Sequence, residues 1–381
     1  MNRTATIAGL GVALPPSAAQ DELWSGYFAQ HYTGGKRTLA ERIFANSGVR
    51  TRQAAVSPLL EDVSGWSTER RMRRYQVEAA PLGKEAVGRA LTDAGIAADE
   101  LGLFAVCSCT GYATPGLDIL LARDMGMSAT VQRLFVGHMG CYAALPGLGS
   151  AADFVVARER PAMLLCAELT SLHVQPPNTR ADIQQIVSHA LFADAAAAVV
   201  LTPGERTPGY AVSELAAVTD TTAAVVLTPG ERTPGYAVSE VAAVTDTTTA
   251  DHMTWEVTDL GFRMGLSPLV PKVLARHVRT LVDGLLARHG LMIGEVDGWA
   301  VHPGGPKILD VVQEQLGLGA DDLAASRGVL SAYGNCSSPT VLLVLDALRR
   351  RPVPPRRVVL LAFGPGLTLY VALLERPTVQ G

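Results

Sequence analysis

The sequence predicts an α/β protein in which buried sheets pack between helical layers. Three observations predict it. Short apolar runs of strand type alternate with helical stretches. The chain has 381 residues, enough for one large or two medium domains. Its residues are 48% hydrophobic and 18% charged, a balance that suits a large buried core.

Taken in order, Met1–Leu10 reads as a first strand, with one charge and no long apolar region of signal-peptide type. Leu103–Ser108 is a buried strand, and Thr130–Val136 is a strand leading towards Cys141. Tyr142–Ala157 is rich in small apolar residues and predicts a buried helix. Pro146 kinks that helix unless the helix starts late enough to hold the proline in its first turn. Met163–Glu168 is another buried strand, and Ala195–Leu201 opens a β-rich region. The second half gives a helix over Pro271–Gly290, a strand over Gly298–His302, and helices over Pro306–Leu316 and Pro339–Arg351. Val358–Phe363 and Thr368–Leu374 form a closing hairpin.

The chain contains a near-exact tandem repeat. Residues 197–222 read AAVVLTPGERTPGYAVSELAAVTDTT, and residues 223–248 repeat them with Val241 in place of Leu215. Each copy reads as a β-rich run, a Thr-Pro-Gly turn region and a second β-rich run, which is a hairpin signature. Two copies are too few for a solenoid. The near-identity points to recent duplication of one hairpin and to a passive insertion, because long insertions in surface connections are tolerated. The alternative is an extra hairpin that extends a sheet edge or an interface. Both halves end in a predicted hairpin, a hint of internal duplication.

The formal net charge is −4, and lysine occurs only at 36, 84, 272 and 307. With no Lys/Arg run, a nucleic-acid partner is not expected. No apolar stretch reaches the roughly 18 residues that a membrane span needs. The five cysteines at 107, 109, 141, 166 and 336 are odd in number and lack paired spacing, so free thiols in a reduced cytoplasmic protein are expected.

The most informative set is Cys141 in VGHMGCYAA, His302 in VHPGGP and Asn335 in YGNCSS. It supplies a nucleophile, a base and an amide donor. Cys141 follows a strand and Gly140, then opens a predicted helix. Gly140 permits the sharp turn, and the helix dipole favours the thiolate. Each residue alone also has a plainer reading: a buried small hydrophobe for Cys141, a structural ring for His302, a turn or cap residue for Asn335. His302 sits at a strand end before a glycine turn, a position suited to facing a cleft. As a donor to an oxyanion or enolate, Asn335 contributes on the order of 2.7–4 kcal/mol to a transition state.

These motifs resemble the type III polyketide synthases, the chalcone synthase-like family in its bacterial form. The resemblance runs from about residue 3 to 375 and rests on five segments. They are Gly140-Cys141; ALFADA at 190–195; HPGGP at 302–306; VLSAYGN at 329–335 with Ser337 and Ser338; and FGPGLT at 363–368. Removing one repeat copy leaves 381 − 26 = 355 residues, near the family's usual length. The resemblance implies a thiolase-like fold: two pseudo-equivalent αβα halves that form a five-layered αβαβα core. It divides the chain into a first half, 1–222, carrying the cysteine, a duplicated hairpin insertion at 223–248, and a second half, 249–381, carrying His302 and Asn335.

The resemblance also implies roles. Cys141 matches the acyl-accepting nucleophile, and His302 and Asn335 match the pair that holds thioester carbonyls and the enolate. Phe192 matches the aromatic between the CoA tunnel and the cavity, and Phe262 the second gatekeeper. Cys109, Thr110 and Thr114 match cavity-lining or dimer-crossing positions, and Gly364 and Pro365 lie in the C-terminal cavity loop. His173 stands where a small residue is common; its readings are a polar starter contact or a space-filling neutral ring. Arg42 and Lys307 match or neighbour CoA contacts, while Leu39, Asn46 and Ala362 depart from the family pattern. The implied substrates are an acyl-CoA starter and malonyl-CoA or alkylmalonyl-CoA. The implied product is a pyrone, resorcinol or phloroglucinol type, made by a homodimer with no metal or other cofactor. Two other readings stand beside this one: a single-condensation β-ketoacyl synthase of the same fold, and a catalytically impaired assembly partner.

Overall fold

The computed structural model describes residues 3–175, 183–205 and 235–376. Its strands in chain order are β1 (Arg3–Ala13), β2 (Ser17–Ala19), β3 (Thr51–Gln53), β4 (Leu103–Cys107), β5 (Gln132–Val136), β6 (Ala162–Leu169) and β7 (Asp194–Glu205). There follow β8 (Tyr236–Thr245), β9 (Met253–Thr258), β10 (Gly261–Leu266), β11 (Gly298–Val301), β12 (Arg357–Gly364) and β13 (Thr368–Glu375). The helices of the first half are α1 (Gln20–Gly26), α2 (Gly35–Ala45), α3 (Thr68–Ala94), α4 (Leu117–Asp124), α5 (Ala144–Arg158) and α6 (Ile183–Leu191). Those of the second half are α7 (Val270–Arg288), α8 (Pro306–Leu316), α9 (Ala324–Tyr333) and α10 (Pro339–Arg349).

The main sheet runs in the order β11-β12-β13-β8-β1-β7-β6-β4-β5. It is two sheets joined by a narrow seam. β1 pairs with β7 along nearly its whole length, but with β8 only through Thr6–Ala237 and Ile7–Tyr236. The buried helices α5 and α10 fill the space between the two sheet halves, with Leu145, Leu148, Leu342 and Leu345 in one core. A second core packs α3 and α4 on the outer face of β4, β6 and β7. A third packs α7 and α8 on the outer face of β11, β12 and β13. The layers are therefore α3, sheet, α5 with α10, sheet, α7, which is the expected αβαβα arrangement.

Local chemistry sets the element boundaries. α5 starts at Ala144, so Pro146 falls in the first turn and costs no hydrogen bond. α8 and α10 both begin on a proline whose fixed φ suits a helix start. The long helix α3, capped by Ser67 accepting from the Arg70 N–H, has no counterpart in the elements predicted from sequence. Gly140–Arg158 is, by length and composition, apolar enough to cross a membrane, which corrects the expectation that no stretch is. Here that stretch is a mostly buried core segment.

The described parts of the two repeat copies are separate strands of the main sheet. β7 comes from the first copy and β8 from the second, and both run antiparallel to the β1 strand between them. They are therefore parallel to each other and cannot be joined as a hairpin. Residues 236–245, inside the segment read as an insertion, form a core strand paired with β13 along its length. Glu240 of this strand is buried against Arg288 at 2.5 Å and His289 at 2.9 Å. The rest of the two copies, 206–234, lies outside the described residues.

Candidate active site

Cys141 lies in a 3₁₀ turn, Gly140–Tyr142, between β5 and α5. Gly140 has φ +67°, and a Cβ there would sit 2.7 Å from the Pro365 ring, so both the turn and the packing require glycine. Gly364 closes on the same point, since a Cβ on it would lie 3.2 Å from the Cys141 nitrogen. The C-terminal FGPGLT loop thus packs directly on the turn that carries Cys141.

His302 follows β11 and is fully buried, its backbone N–H donating to the Leu361 carbonyl at 2.7 Å. Its ring stands edge-on to Phe363 at 5.5 Å. Asn335 is fixed by both backbone and side chain. Its N–H donates to the Leu191 carbonyl at 2.8 Å, and its carbonyl accepts from the Ala193 N–H at 2.9 Å. The Ser337 N–H donates to Asn335 Oδ1 at 2.9 Å, which leaves the amide NH₂ as the free end.

One cavity of about 570 Å³ brings Cys141, His302 and Asn335 together. Phe192, Phe363, Lys307 and the glycines of the HPGGP turn also line it. Burial sets the resting protonation. It pushes the Cys141 thiol up to about 12, against hydrogen bonds from Ser337 and Asn335 that pull it down. It holds the His302 imidazole down to about 3, with both ring nitrogens lacking a partner. The Cys141 thiol and the His302 imidazole are therefore both neutral, where the sequence predicts a thiolate favoured by the helix. Desolvation outweighs the helix dipole here.

Behind Cys141 lies a polar network. Glu168 accepts from Cys109 N–H at 3.0 Å, Thr110 Oγ1 at 2.8 Å and Ser338 Oγ at 2.8 Å. Burial raises this carboxyl to about 7. Asp194 is also fully buried and accepts from Ala55 N–H and Ser171 N–H, each at 2.8 Å, and from Thr170 and Ser171 hydroxyls. Through these bonds it ties the segment after β3 and the end of β6 to the start of β7, beside Phe192. Among the described residues, no group of three or more His, Cys, Asp or Glu side chains is placed to hold a metal ion.

The predicted cavity residues divide. Phe192 lines both the main cavity and a small void beside Cys141, and Cys109, Thr110 and Pro365 line that void. Phe262 does not face the main cavity; its ring stacks on His173 at 4.5 Å. Met264 and Leu266, on the same strand and the same face, line the main cavity instead. The period-two run Phe262, Met264, Leu266 was the available signal, and it does not say which of the three reaches the mouth. His173 has both nitrogens engaged: Nε2–H donates to the Thr110 carbonyl at 2.6 Å, and Nδ1 accepts from the Phe262 N–H at 2.9 Å. Burial lowers it to about 3, so it is a neutral, space-filling ring. Thr114 is exposed and lines none of these spaces. Arg42 is exposed on α2 away from the cavity wall, while Lys307 is exposed on its rim. Trp255, which no sequence motif singles out, lines the void beside Cys141, with its indole N–H donating to the Cys109 carbonyl at 2.8 Å.

The N-terminal domain model of the chalcone and stilbene synthases matches residues 1–204, and the C-terminal domain model matches residues 240–377. The chain belongs to this family, the type III polyketide synthases. The 1,3,6,8-tetrahydroxynaphthalene synthase of Streptomyces peucetius subsp. caesius is 32% identical over 98% of this chain and 94% of its own. The alpha-pyrone synthesis polyketide synthase-like Pks18 of Mycobacterium tuberculosis is 30% identical over 97% of this chain and 91% of its own. Among solved structures, PKS-I from the brown alga Ectocarpus siliculosus aligns with a TM-score of 0.83 at 27% identity over 99% of both chains. The thiolase-like fold of this type III polyketide synthase is thus the one its motifs imply, and its chemistry is acyl transfer by decarboxylative condensation.

Proposed function

We propose that the chain extends an acyl group held on Cys141 with malonyl-CoA or alkylmalonyl-CoA units, repeatedly, and then cyclises it to a pyrone, resorcinol or phloroglucinol-type product. The observation that carries this is the shared cavity of Cys141, His302 and Asn335. His302, held neutral, takes the thiol proton as Cys141 attacks the starter thioester, and returns it to the departing CoA thiolate. Malonyl-CoA then loses CO₂. The enolate oxygen is held by the Asn335 amide and by His302, both fixed before the charge appears. Attack on the Cys141 thioester lengthens the chain by one unit and frees the thiolate for the next transfer.

Cys141, His302 and Asn335 are the catalytic residues of this reading, with Phe192 and Met264 shaping the passage and Lys307 meeting CoA phosphates. The substrates themselves are CoA thioesters, and no cofactor is required. A homodimer is proposed through the β5 edge, where Leu134, Phe135 and the nearby Ile119 and Tyr112 are exposed apolar side chains. Five free cysteines suit a reducing cytoplasmic setting.

The test incubates purified protein with malonyl-CoA and a panel of acyl-CoAs, then reads CO₂ release and product masses. Cyclised products with several added units are expected. A single C2 extension without ring closure would favour the one-condensation β-ketoacyl synthase. Absence of both CO₂ release and label on Cys141 would favour a non-catalytic assembly partner.

A further inference from the structure

The loop that packs on the Cys141 turn is strained and needs an anchor. Within it Leu367 is fully buried and has φ +41°, a left-handed conformation that a bulky side chain rarely adopts. Such a residue persists only where its surroundings over-determine it. Gly364 and Gly366 beside it add no side-chain contacts, and Pro365 has no backbone N–H to donate.

The anchor comes from the end of the neighbouring strand. β8 pairs with β13 as far as Thr245 and Thr368, whose hydroxyls meet at 2.9 Å. One residue further, the Asp246 N–H donates to the Leu367 carbonyl at 3.5 Å. Asp246 is itself tied down. Its carboxylate accepts from His277 Nε2–H on α7 at 3.0 Å and from the Thr248 N–H at 3.1 Å. Its carbonyl accepts from the Thr249 N–H at 3.1 Å and the Thr249 hydroxyl at 2.9 Å. The loop held in this way carries two contacts of the site. Phe363 stands edge-on to His302, and the Pro365 ring fills the space facing Gly140. Asp246 and His277 line neither the main cavity nor the void beside Cys141, so they act only through the loop. Their side chains are 13% and 28% exposed. A pair so open to solvent adds little to global stability, so its effect is local.

We propose that Asp246 and His277 are positioning residues for the condensation, a carboxylate–imidazole pair outside the cavity that fixes the Phe363–Thr368 loop and, through it, the placing of Cys141 against His302. His277 orients the carboxylate, and the carboxylate holds the backbone N–H that reaches Leu367. This role rests on the function proposed above.

The experiment measures malonyl-CoA decarboxylation and thermal melting of the purified full chain. In His277→Ala, kcat should fall about ten- to a hundredfold with KM nearly unchanged, the usual loss for a misplacement of about 1 Å. The melting temperature should fall by no more than about 4 °C. His277→Gln, which keeps an N–H donor near the Nε2 position, should recover most of kcat, and His277→Leu should not. Asp246→Ala combined with His277→Ala should lose no more than Asp246→Ala alone, because the two act as one unit. An unchanged kcat in His277→Ala, additive losses in the double variant, or a loss that His277→Gln does not restore overturns the proposal. Unfolding of His277→Ala also overturns it, since the pair is then merely structural. A second measurement needs no turnover: the rate of Cys141 alkylation by iodoacetamide, located by mass spectrometry. It should change severalfold in His277→Ala and return to the parent rate in His277→Gln, and equal rates in all three chains overturn the pair. Should the unsubstituted chain release no CO₂, the function fails and the alkylation rates still decide the positioning role.

Discussion

Asn335 and Phe192 are bridge partners across the junction of the two halves. The residues flanking Phe192 exchange backbone hydrogen bonds with Asn335, so the aromatic side chain and the amide donor are set by one piece of backbone. With Ser337 fixing the amide oxygen as well, Asn335 presents its NH₂ to the cavity at little cost on binding.

Replacing Asn335 by Ala should therefore separate two steps. Decarboxylation of malonyl-CoA should fall about 10²–10³-fold, the usual loss for one fixed oxyanion donor. Acylation of Cys141 by the starter should persist, while Cys141→Ala should abolish it. Mass spectrometry of the acyl-enzyme and CO₂ release measure the two steps independently. Equal loss of both in Asn335→Ala would count against its assignment to the enolate.

Glu168 should make stability depend on pH. Its carboxyl titrates at about 7 in the fold against 4.5 ordinarily, because burial penalises its charged form. The folded chain then binds more protons than the unfolded chain between those values. The contribution is fully present below 4.5 and lost as pH rises through about 7. Relative to Glu168→Gln, the parent should lose up to roughly 3 kcal/mol across this window, since each tenfold change in proton affinity is worth about 1.36 kcal/mol. Parallel urea titrations of parent and variant give the difference, and matching slopes would exclude the effect.

Deleting either repeat copy should leave a folded protein. Removing 223–248 or 197–222 gives chains that differ only by Leu215 or Val241. Val241 is 3% exposed in the central core, so a leucine in that slot adds volume to a filled space. The valine chain should be the more stable by about 1–3 kcal/mol, the usual cost of overpacking. Thermal melts decide this, and a deletion that aggregates would show that the doubled segment is needed.

Lys307 and Arg42 should behave differently. Lys307→Ala should raise KM for malonyl-CoA severalfold and reduce the salt dependence of that KM, since an exposed charge on the rim attracts phosphate and is screened by ions. Arg42→Ala should leave KM unchanged. The reverse pattern would place the CoA entrance at α2.

Phe135 on β5 is 41% exposed at a sheet edge, a costly place for an unpartnered aromatic. Phe135→Glu should convert a dimer to monomers by sedimentation velocity. A dimer untouched by the change would locate the interface elsewhere.

Much of the fold was legible because its signals are local. The strands around Cys141 and the proline-started helices α8 and α10 follow from apolar runs and turn chemistry within a few residues. The missed elements are those with weaker apolar signals. α3 is largely charged outside its buried stripe, and β9 and β10 form a short, partly exposed hairpin.

The sequence by itself singled out the proposed reacting groups, Cys141, His302 and Asn335, since their flanking turns demand particular residues, as Gly140 does with its positive φ. It also determined the layered architecture. Only the tertiary structure decided that the repeat supplies two parallel strands with β1 between them, that Met264 rather than Phe262 reaches the main cavity, and that burial keeps Cys141 and His302 neutral. Turns and periodicity are properties of neighbouring residues. Strand order, cavity walls and desolvation are sums over contacts between segments far apart in the chain, and near-identical repeat copies carry almost no local mark of which one will fill a given place.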